Sequence, residues 1–299
     1  MTLRNRVGHE SEGVTVVCDP GIDDMLALML ITGAGLVPAQ VVATAGNAPL
    51  PVTVANSAAI CAMLGLPLTV VAGCDRALAG PYPCWGTKFH GEDGLGGVAR
   101  RLTAEHPLAP AEAARPFFPA VLGGRVIATS ALTPVALALR AGFAPLVTWM
   151  GGAHEADGNI TAVAEFNGWL DPEAAEETLR SGCCEAMVPL DVTERVAWTR
   201  ADLADLATVG RLAEVAVSAC GWLHRFGPVT LPDVVAAVAF LRPEVFGWQQ
   251  FLVRCDTGNG LTRGMTTCIP GRGRQVNVAV EVDARAVKDM LATSLAALG

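Results

Sequence analysis

The sequence predicts an α/β protein with a mainly parallel central sheet and helices on both faces. Short apolar runs of strand length alternate along the chain with segments that carry helix-start signals, which is typical of parallel sheets. Polar side chains follow several of these runs directly, at the position where open α/β sheets place their ligands. The chain has 299 residues and no evident linker or repeat. We therefore expect residues 1–12 to form a short polar tail and residues 13–299 to form one domain.

The first half of the chain supplies most of the predicted strands and helices. The predicted strands are Val14–Cys18, 41–45, 68–72, Arg125–Ala128, Leu146–Met150 and 185–190. The predicted helices cover 24–33, 54–63 and 135–140, and a further helix opens at 171–173. We expect Thr133 to be the N-cap of the 135–140 helix and Pro134 to be its first helical residue.

The C-terminal region predicts one further strand and a last helix. Valines at 276, 278, 280 and 282 alternate with polar or small residues. This alternation is typical of a half-buried edge strand. A final helix is expected from about Asp283.

Composition and charge argue against several classes of function. The net charge of −8 comes without a basic cluster, so we expect no nucleic-acid partner. Gly, Pro or charged residues interrupt the apolar stretches before they reach membrane-spanning length. The first residues lack the apolar region of a signal peptide. Nine cysteines without a C-x-x-C motif indicate a reducing, cytoplasmic location.

The loop after the first predicted strand carries the strongest chemical signal. Asp19-Pro-Gly-Ile-Asp23-Asp24 places three carboxylates within six residues. Carboxylates this close repel one another unless a cation or the hydroxyls of a ligand lie among them. The loop therefore predicts a site for a hard metal and a polyol. The alternative is a plain turn before a helix, because acidic residues also favour the first turn.

Other polar residues follow later strands and belong to the same edge of a parallel sheet. Asn47, Thr129, Asn159, Glu165 and Asn167 stand in these loops. The set is rich in oxygen acceptors and poor in histidine or thiolate, which favours Ca²⁺ or Mg²⁺ over Zn²⁺. Taken singly, several of these motifs have plain interpretations. Asn159 is compatible with an ordinary turn, the segment around His90 with a flexible loop, and Asp171-Pro172-Glu173 with a helix cap.

Four motif blocks in this order resemble the nucleoside hydrolases of the inosine-uridine type. The blocks are Asp19-Pro-Gly-Ile-Asp-Asp24, Gly46-Asn47, His90-Gly-Glu-Asp-Gly-Leu-Gly-Gly97, and Met150-Gly-Gly with Asn159, Ala164-Glu-Phe-Asn167 and Asp171-Pro-Glu-Ala-Ala175. The resemblance covers nearly the whole chain. It implies a Rossmann-like fold and hydrolysis of the N-glycosidic bond of ribonucleosides to ribose and free base. It also implies a homodimer or a homotetramer.

The resemblance assigns a Ca²⁺ site and a catalytic base. Asp19, Asp24, Asp233 and the backbone carbonyl of Thr129 would bind the ion. A water bound to Ca²⁺ would attack the anomeric carbon, and Asp19 would accept its proton. Attack by a positioned water in one step would invert the anomeric centre.

The resemblance also implies the residues that contact the nucleoside. Asp23 and Asn167 would hold the 2′- and 3′-hydroxyls, together with the ion. Residues that match the family's remaining substrate contacts are Asn47, Met150, Asn159, Glu165 and Phe166. Of these, Met150 stands at a position that is more often a core residue than a ligand contact.

Two positions depart from the family pattern. Val17 stands where the family usually has a further aspartate, before Asp19. We expect that aspartate to support the metal ligands from behind, so that its loss weakens the site without abolishing it. Pro232 stands where many members have a histidine that protonates the departing base.

The residue that activates the leaving group therefore stays open. His224 lies in a segment with Trp222 and Phe226, whose rings are suited to stacking on a base. His90, in a loop with Tyr82, Trp85 and Phe89, is a second candidate. The alternative is that His224 is a surface or packing residue.

Three functions remain in competition at this point. The first is a Ca²⁺-dependent nucleoside hydrolase. The second is a catalytically weak or inactive relative that binds ribose-containing ligands, suggested by Val17 and Pro232. A phosphatase with an aspartate nucleophile fits poorly, because that chemistry needs a second acidic residue where the chain has Gly21.

Overall fold

The structure of the chain, a computed structural model, describes residues 13–82, 86–105, 114–271 and 273–299. The predicted tail, 1–12, and Trp85 lie outside these ranges. The strands are β1 (Val14–Cys18), β2 (Gln40–Ala43), β3 (Val71–Ala72), β4 (Arg76–Ala77), β5 (Gly80–Pro81), β6 (Arg115–Pro116), β7 (Arg125–Ala128), β8 (Leu146–Met150), β9 (Cys184–Val188), β10 (Ala197–Trp198), β11 (Val229–Thr230), β12 (Phe246–Cys255), β13 (Thr266–Ile269) and β14 (Val276–Val282).

Helices separate most of these strands. They are α1 (Ile22–Gly33), α2 (Leu50–Met63), α3 (Thr87–His90), α4 (Ala99–Glu105), α5 (Thr133–Arg140), α6 (Phe166–Leu170), α7 (Pro172–Ser181), α8 (Leu190–Thr193), α9 (Arg200–Ala207), α10 (Arg211–Leu223), α11 (Pro232–Leu241) and α12 (Ala284–Ala297). Short 3₁₀ helices cover Pro119–Leu122, His224–Phe226 and Pro243–Val245. Within the described ranges, no helix has both the length and the apolar character needed to cross a membrane.

The central sheet has ten strands in the order β13-β12-β14-β9-β8-β7-β1-β2-β3-β6. Neighbouring strands from β14 to β6 run parallel to one another. The prediction of a mainly parallel sheet is therefore confirmed. The carboxyl ends of β1, β2, β7 and β8 lie at one edge, and their following loops carry the polar residues singled out above.

The prediction that the valine-rich C-terminal strand lies at the sheet edge is wrong. β14 lies inside the sheet, parallel to β9 on one side and antiparallel to β12 on the other. β12 in turn pairs antiparallel with β13, which forms the true edge. Polar residues such as Gln249, Gln250 and Arg254 interrupt the apolar pattern of β12, so this strand gave a weak sequence signal.

Strand β1 shows how the sheet separates two hydrophobic cores. Val14, Val16 and Cys18 belong to the larger core, which also contains side chains of α1, α10, α11 and α12. Val17 points to the opposite side and belongs to the core formed with α5 and α7. Helices therefore cover both faces, as predicted. Val17 is fully buried, so the aspartate that the family usually has here is replaced by an apolar core residue.

Helices α1 and α2 begin earlier than the sequence predicted. α1 starts at Ile22 and α2 at Leu50. Pro51 occupies the first turn of α2, where the missing N–H has no helical acceptor to lose. Asp23 and Asp24 therefore lie in the first turn of α1.

The predicted cap of α5 is also wrong. Leu132 is the N-cap residue, and Thr133 is already inside the helix. The Thr133 hydroxyl donates instead to Oδ2 of Asp171 at 2.5 Å. Asp171 caps α7 through the N–H of Ala174, as the helix-cap interpretation requires, and also accepts from the N–H of Leu78. Its carboxylate thus joins two helices and the loop that precedes β5.

Candidate active site

Asp19, in the loop between β1 and α1, is buried against the loop that follows β2. Oδ2 of Asp19 accepts a hydrogen bond of 2.7 Å from the backbone N–H of Asn47. A Cβ on Gly46 would lie 1.9 Å from the same oxygen, so only glycine leaves room for the carboxylate. Oδ1 of Asp19 is buried without a hydrogen-bond partner among the described residues. Burial first, and then the charge of Asp24, raises the pKa of Asp19 well above its usual value.

Asp24 is held by donors from three different segments. It accepts hydrogen bonds from the N–H of Gly21 at 2.8 Å, the amide of Asn47 at 3.2 Å and the hydroxyl of Thr129 at 2.7 Å. Burial, and next the charge of Asp23, raises the pKa of Asp24 to about 6. The carboxylate is therefore fixed in position but still costly to ionise in the absence of a cation.

Asp23, Asp24 and Asp233 form a buried acidic cluster. A carboxylate oxygen from each lies within 4.8 Å of the others. Asp233 enters from the first turn of α11. Burial raises the pKa of Asp233 well above its usual value, and the charges of Asp23 and Asp24 raise it further. Oδ1 of Asp23 is a second buried oxygen without a hydrogen-bond partner in the described ranges.

This arrangement fits a hard divalent cation. Three buried aspartates meet in the cluster, and a fourth, Asp19, is buried in the loop directly before α1. One oxygen of Asp19 and one of Asp23 have no hydrogen-bond partner among the described residues, and the cluster contains no histidine or thiolate. Oxygen-only sets of this kind select Ca²⁺ or Mg²⁺. Asp19 and the Thr129 carbonyl, which the sequence also predicts as ligands, adjoin the cluster. Asp19 lies outside the 4.8 Å group, and the Thr129 carbonyl accepts from Nδ2 of Asn167 at 3.2 Å.

His90 lies beside the cluster, is partly buried and is neutral. Its Nδ1 accepts a hydrogen bond of 3.0 Å from the backbone N–H of Ile22. Burial lowers the pKa of His90 to about 4. The 3.9 Å contact between Nδ1 of His90 and Oδ1 of Asp23 is therefore not an ion pair at neutral pH. With Nδ1 as an acceptor, the ring offers only Nε2–H as a donor.

Helix α6 places Glu165 and Asn167 at the same edge of the sheet. Glu165 caps the helix and accepts from the N–H groups of Gly152, Asn167 and Gly168 at 2.9, 2.8 and 3.1 Å. Burial outweighs these donors and raises the pKa of Glu165 to about 7. Nδ2 of Asn167 also donates to the carbonyl of Met150 at 3.1 Å. The Asn167 side chain thus bridges the ends of β7 and β8.

A cavity of about 320 Å³ opens above these residues. This volume lies within the range of small-molecule sites. The predicted residues that line it are Asp23, Asn47, His90, Thr129, Met150, Asn159, Glu165, Phe166, Asn167, Phe226 and Asp233. Asn159 contributes a further link, because its Oδ1 accepts from the N–H of Phe166 at 2.9 Å.

The structure does not place Trp222 or His224 in this lining. Trp222 is half-buried with the Arg225 guanidinium 4.0 Å from its ring centre. His224 begins the 3₁₀ turn after α10. Of this segment, Leu223 and Phe226 line the cavity, and Phe226 packs on Phe89 with ring centres 5.1 Å apart.

Several lining residues were not predicted from the sequence. Pro232 lines the cavity at the start of α11, next to Asp233. Glu194, directly after α8, adds a carboxylate. Glu194 is exposed, and its partial burial first, and then the charges of Asp191 and Asp157, raise its pKa. The unpredicted apolar residues include Ile160, Leu190, Leu223, Pro228 and Val229.

Comparison with known proteins decides the family. Residues 14–289 match the family model described as inosine-uridine preferring nucleoside hydrolase. The chain belongs to the nucleoside hydrolase family. It is therefore an enzyme of the nucleoside N-ribohydrolase class, and the resemblance predicted from the motif blocks is confirmed.

Named relatives of this nucleoside hydrolase include plant and bacterial proteins. It is 31% identical over 288 residues to the probable uridine nucleosidase 2 of Oryza sativa subsp. japonica, covering 89% of this chain and 85% of the relative. It is 31% identical over 309 residues to the pyrimidine-specific ribonucleoside hydrolase RihA of Shewanella oneidensis, covering 94% and 95%. Among solved structures, the purine-preferring ribonucleoside hydrolase from Gardnerella vaginalis aligns with a TM-score of 0.81 and 25% identity, covering 95% and 98%.

Proposed function

We propose that this nucleoside hydrolase cleaves the N-glycosidic bond of ribonucleosides to ribose and free base in a Ca²⁺-dependent reaction. The observation that carries the proposal is the set of buried aspartates Asp19, Asp23, Asp24 and Asp233, of which Asp23 and Asp233 line the cavity. Buried carboxylates at this density are costly to ionise without a cation. The names of two relatives make uridine and cytidine the first substrates to test.

Asp24, Asp233, Asp19 and the Thr129 carbonyl are the residues that would hold Ca²⁺, and Asp23 adds a further carboxylate. Once bound, the ion supplies positive charge that attracts the ribose diol and favours deprotonation of the attacking water. The protein contributes the fixed carboxylates. Thr129, Gly21 and Asn47 orient Asp24 in advance, so that little reorganisation is needed when the site fills.

Asp19 is the base that accepts the proton of the attacking water. Its Oδ1 has no partner among the described residues, and its Oδ2 is anchored on the N–H of Asn47. One oxygen is thus free for the reaction while the other fixes the carboxylate. A pKa raised by burial makes Asp19 a stronger base than an exposed aspartate. A single displacement by water inverts the anomeric carbon.

Residues from three loops bind the ribose. Asp23 and Asn167 are placed beside the acidic cluster for the 2′- and 3′-hydroxyls, while Asn47, Asn159 and Glu165 supply further polar atoms in the lining. Met150 and Phe166 provide apolar contact. Negative charge around the anomeric carbon stabilises the oxocarbenium-like transition state.

The proposed residues for leaving-group activation do not have equal support. Phe226 lines the cavity and can stack on the base. His90 lines it too, but its neutral ring can donate only a hydrogen bond from Nε2. His224 and Trp222 do not line the described cavity, so the structure gives no support to a role for them in leaving-group activation.

Val17 gives little support to the second candidate, an inactive relative that binds ribose. Its side chain is buried on the face of the sheet opposite Cys18 and completes an apolar core. The replacement therefore fits the apolar core, and the donors to Asp24 remain in place.

The experiment is ribose release from uridine, cytidine and inosine by the wild type, Asp19→Asn and the exposed control Asp75→Asn. We expect Asp19→Asn to lose at least about 100-fold in kcat while still binding Ca²⁺ in calorimetry. Asp75→Asn should match the wild type. Full activity of Asp19→Asn refutes the assignment of the base. Ca²⁺ binding without ribose release by the wild type would favour the inactive relative.

The remaining predictions concern the assembly and its compartment. We propose a cytoplasmic homodimer or homotetramer whose residues 13–299 act as one domain. Support for the compartment comes from the cysteines, because the eight in the described ranges are all free thiols. Size-exclusion chromatography with light scattering tests the oligomeric state.

A further inference from the structure

The charged side chains in the described cavity lining are all carboxylates. They belong to Asp23, Glu165, Glu194 and Asp233, and no lysine or arginine occurs among the described lining residues. Asp23 and Asp233 belong to the metal cluster, and Glu165 is used as the cap of α6. With Asp23 and Asp233 holding an ion and the pKa of Glu165 raised to about 7, Glu194 is the carboxylate in the described lining that remains to disfavour anions such as a 5′-phosphate and to attract cations.

Among the carboxylates of the described lining, Glu194 is the one that neither belongs to the metal cluster nor caps a helix. Glu194 is exposed, and its side chain makes no hydrogen bond or ion pair with the described residues. Its neighbour Asp191, by contrast, accepts from the backbone N–H groups of His154, Glu155 and Ala156. Glu194 thus offers its carboxylate to whatever occupies the cavity.

Two aromatic rings line the same cavity. Phe89 and Phe226 are 38% and 48% exposed and pack with their centres 5.1 Å apart. The negative face of an aromatic ring attracts a cation. Phe89 already shows this property, because Nζ of Lys88, outside the lining, lies 5.5 Å from its centre. Aromatic rings together with a free carboxylate are suited to a flat, positively charged heterocycle.

The position of Pro232 also favours a positively charged base. It lines the cavity one residue before Asp233 and can donate no proton. A neutral base such as uracil leaves as an anion unless a proton is supplied. A base that is already cationic leaves as a neutral molecule and needs no acid.

We propose that this pocket favours ribonucleosides with a cationic heteroaromatic base, such as pyridinium ribosides and N7-alkylated purine ribosides. The residues that recognise the positive charge are Glu194, Phe89 and Phe226. The inference rests on the proposed function, since it concerns the base that the same site releases. In the reaction the C1′–N bond breaks, and its electron pair neutralises the positive ring. Water forms the new C1′–O bond, and Asp19 takes its proton.

The matched pair that tests the inference is 7-methylguanosine and guanosine, which differ by one methyl group and one charge. Nicotinamide riboside extends the series to a pyridinium base. We expect kcat/KM for 7-methylguanosine to exceed that for guanosine at least about 100-fold. A ratio near one or below contradicts the inference.

Variants separate recognition of the charge from the greater intrinsic lability of the cationic nucleoside. Glu194→Gln should lower the ratio of kcat/KM for the two nucleosides by about tenfold, mainly through KM for 7-methylguanosine. Phe226→Leu should lower it as well. Glu214→Gln, an exposed carboxylate on α10, should keep the wild-type ratio. An unchanged ratio in Glu194→Gln overturns the role of this residue.

The neutral substrate 4-nitrophenyl riboside distinguishes failure of this inference from failure of the proposed function. Its leaving group needs no acid and carries no positive charge. Ribose release from it, without preference for 7-methylguanosine, overturns only the inference. No release from any of these substrates would overturn the proposed function as well.

Discussion

The hydroxyl of Thr129 donates a hydrogen bond of 2.7 Å to Oδ1 of Asp24, 105 residues away in the chain. This contact joins the loop after β7 to the first turn of α1. It leaves the Thr129 carbonyl free to accept from Asn167. One residue thus orients a predicted metal ligand with its side chain and a predicted ribose ligand with its backbone.

Thr129→Val tests this contact. The valine keeps the shape and the carbonyl but removes the donor, so Asp24 loses one of its three hydrogen bonds. We expect Ca²⁺ affinity to fall about tenfold, equivalent to about 1.4 kcal/mol. Calorimetric titration with Ca²⁺ measures the change. Thr129→Ser restores the hydroxyl and should recover most of the affinity, and equal losses in both variants would argue against the hydrogen bond.

Gly46→Ala is expected to displace Asp19. The new Cβ would lie 1.9 Å from Oδ2 of this buried carboxylate, so the side chain or the loop must move. We predict a loss of stability of about 1–3 kcal/mol and a fall in kcat with little change in KM. The matched control is Gly221→Ala in α10, where a Cβ meets nothing within 4 Å. Wild-type kcat in Gly46→Ala would contradict the assigned position of the base.

Glu165 makes the stability depend on pH in a defined window. Its pKa is raised from 4.5 to about 7, so the folded state holds a proton that the unfolded state has released. Its contribution to stability is complete below pH 4.5 and is lost as the pH rises through about 7. The difference in unfolding free energy between wild type and Glu165→Gln should therefore decrease by at most about 3 kcal/mol from pH 4.5 to pH 8. Urea denaturation at four pH values measures it, and a constant difference would contradict the buried, protonated state.

Ca²⁺ should stabilise the folded chain because it binds the buried carboxylates only when they are assembled. At a concentration 100 times its Kd, the ion adds about 2.7 kcal/mol to the unfolding free energy. Thermal denaturation with Ca²⁺, with Mg²⁺ and with chelator measures this effect. Asp233→Asn should abolish most of the shift, while Asp75→Asn should retain it. An equal shift in both variants would place the ion elsewhere.

The parts of the site predicted from sequence are those that a local motif or a family motif specifies. Asp19, Asp23 and Asp24 follow a buried strand within six residues, and the parallel topology brings Asn47 and Thr129 to the same edge. Asp233 was found only through the resemblance, because its place beside Asp23 depends on the packing of α11 against α1. The family and the α/β fold were predicted correctly from these residues.

What the sequence did not predict depends on tertiary packing. Glu194 stands in a short helix-end segment without a motif, and only the fold brings it to the cavity. Phe226 and Trp222 were both predicted to stack on the base. Phe226 lines the cavity, whereas Trp222 packs against the guanidinium of Arg225. The antiparallel strand β12 was missed because its polar residues mask the alternation, and this omission made β14 look like an edge strand.

The most direct test of the account is ribose release from uridine and 4-nitrophenyl riboside by chelator-stripped protein, as Ca²⁺ is added back. We predict that stripped wild type is inactive, that Ca²⁺ restores activity along the same saturation curve as its calorimetric binding, and that Asp24→Asn requires at least about tenfold more Ca²⁺. Full activity of the stripped protein, or an identical Ca²⁺ curve for Asp24→Asn, would contradict the claim that the aspartate cluster holds the ion required for hydrolysis.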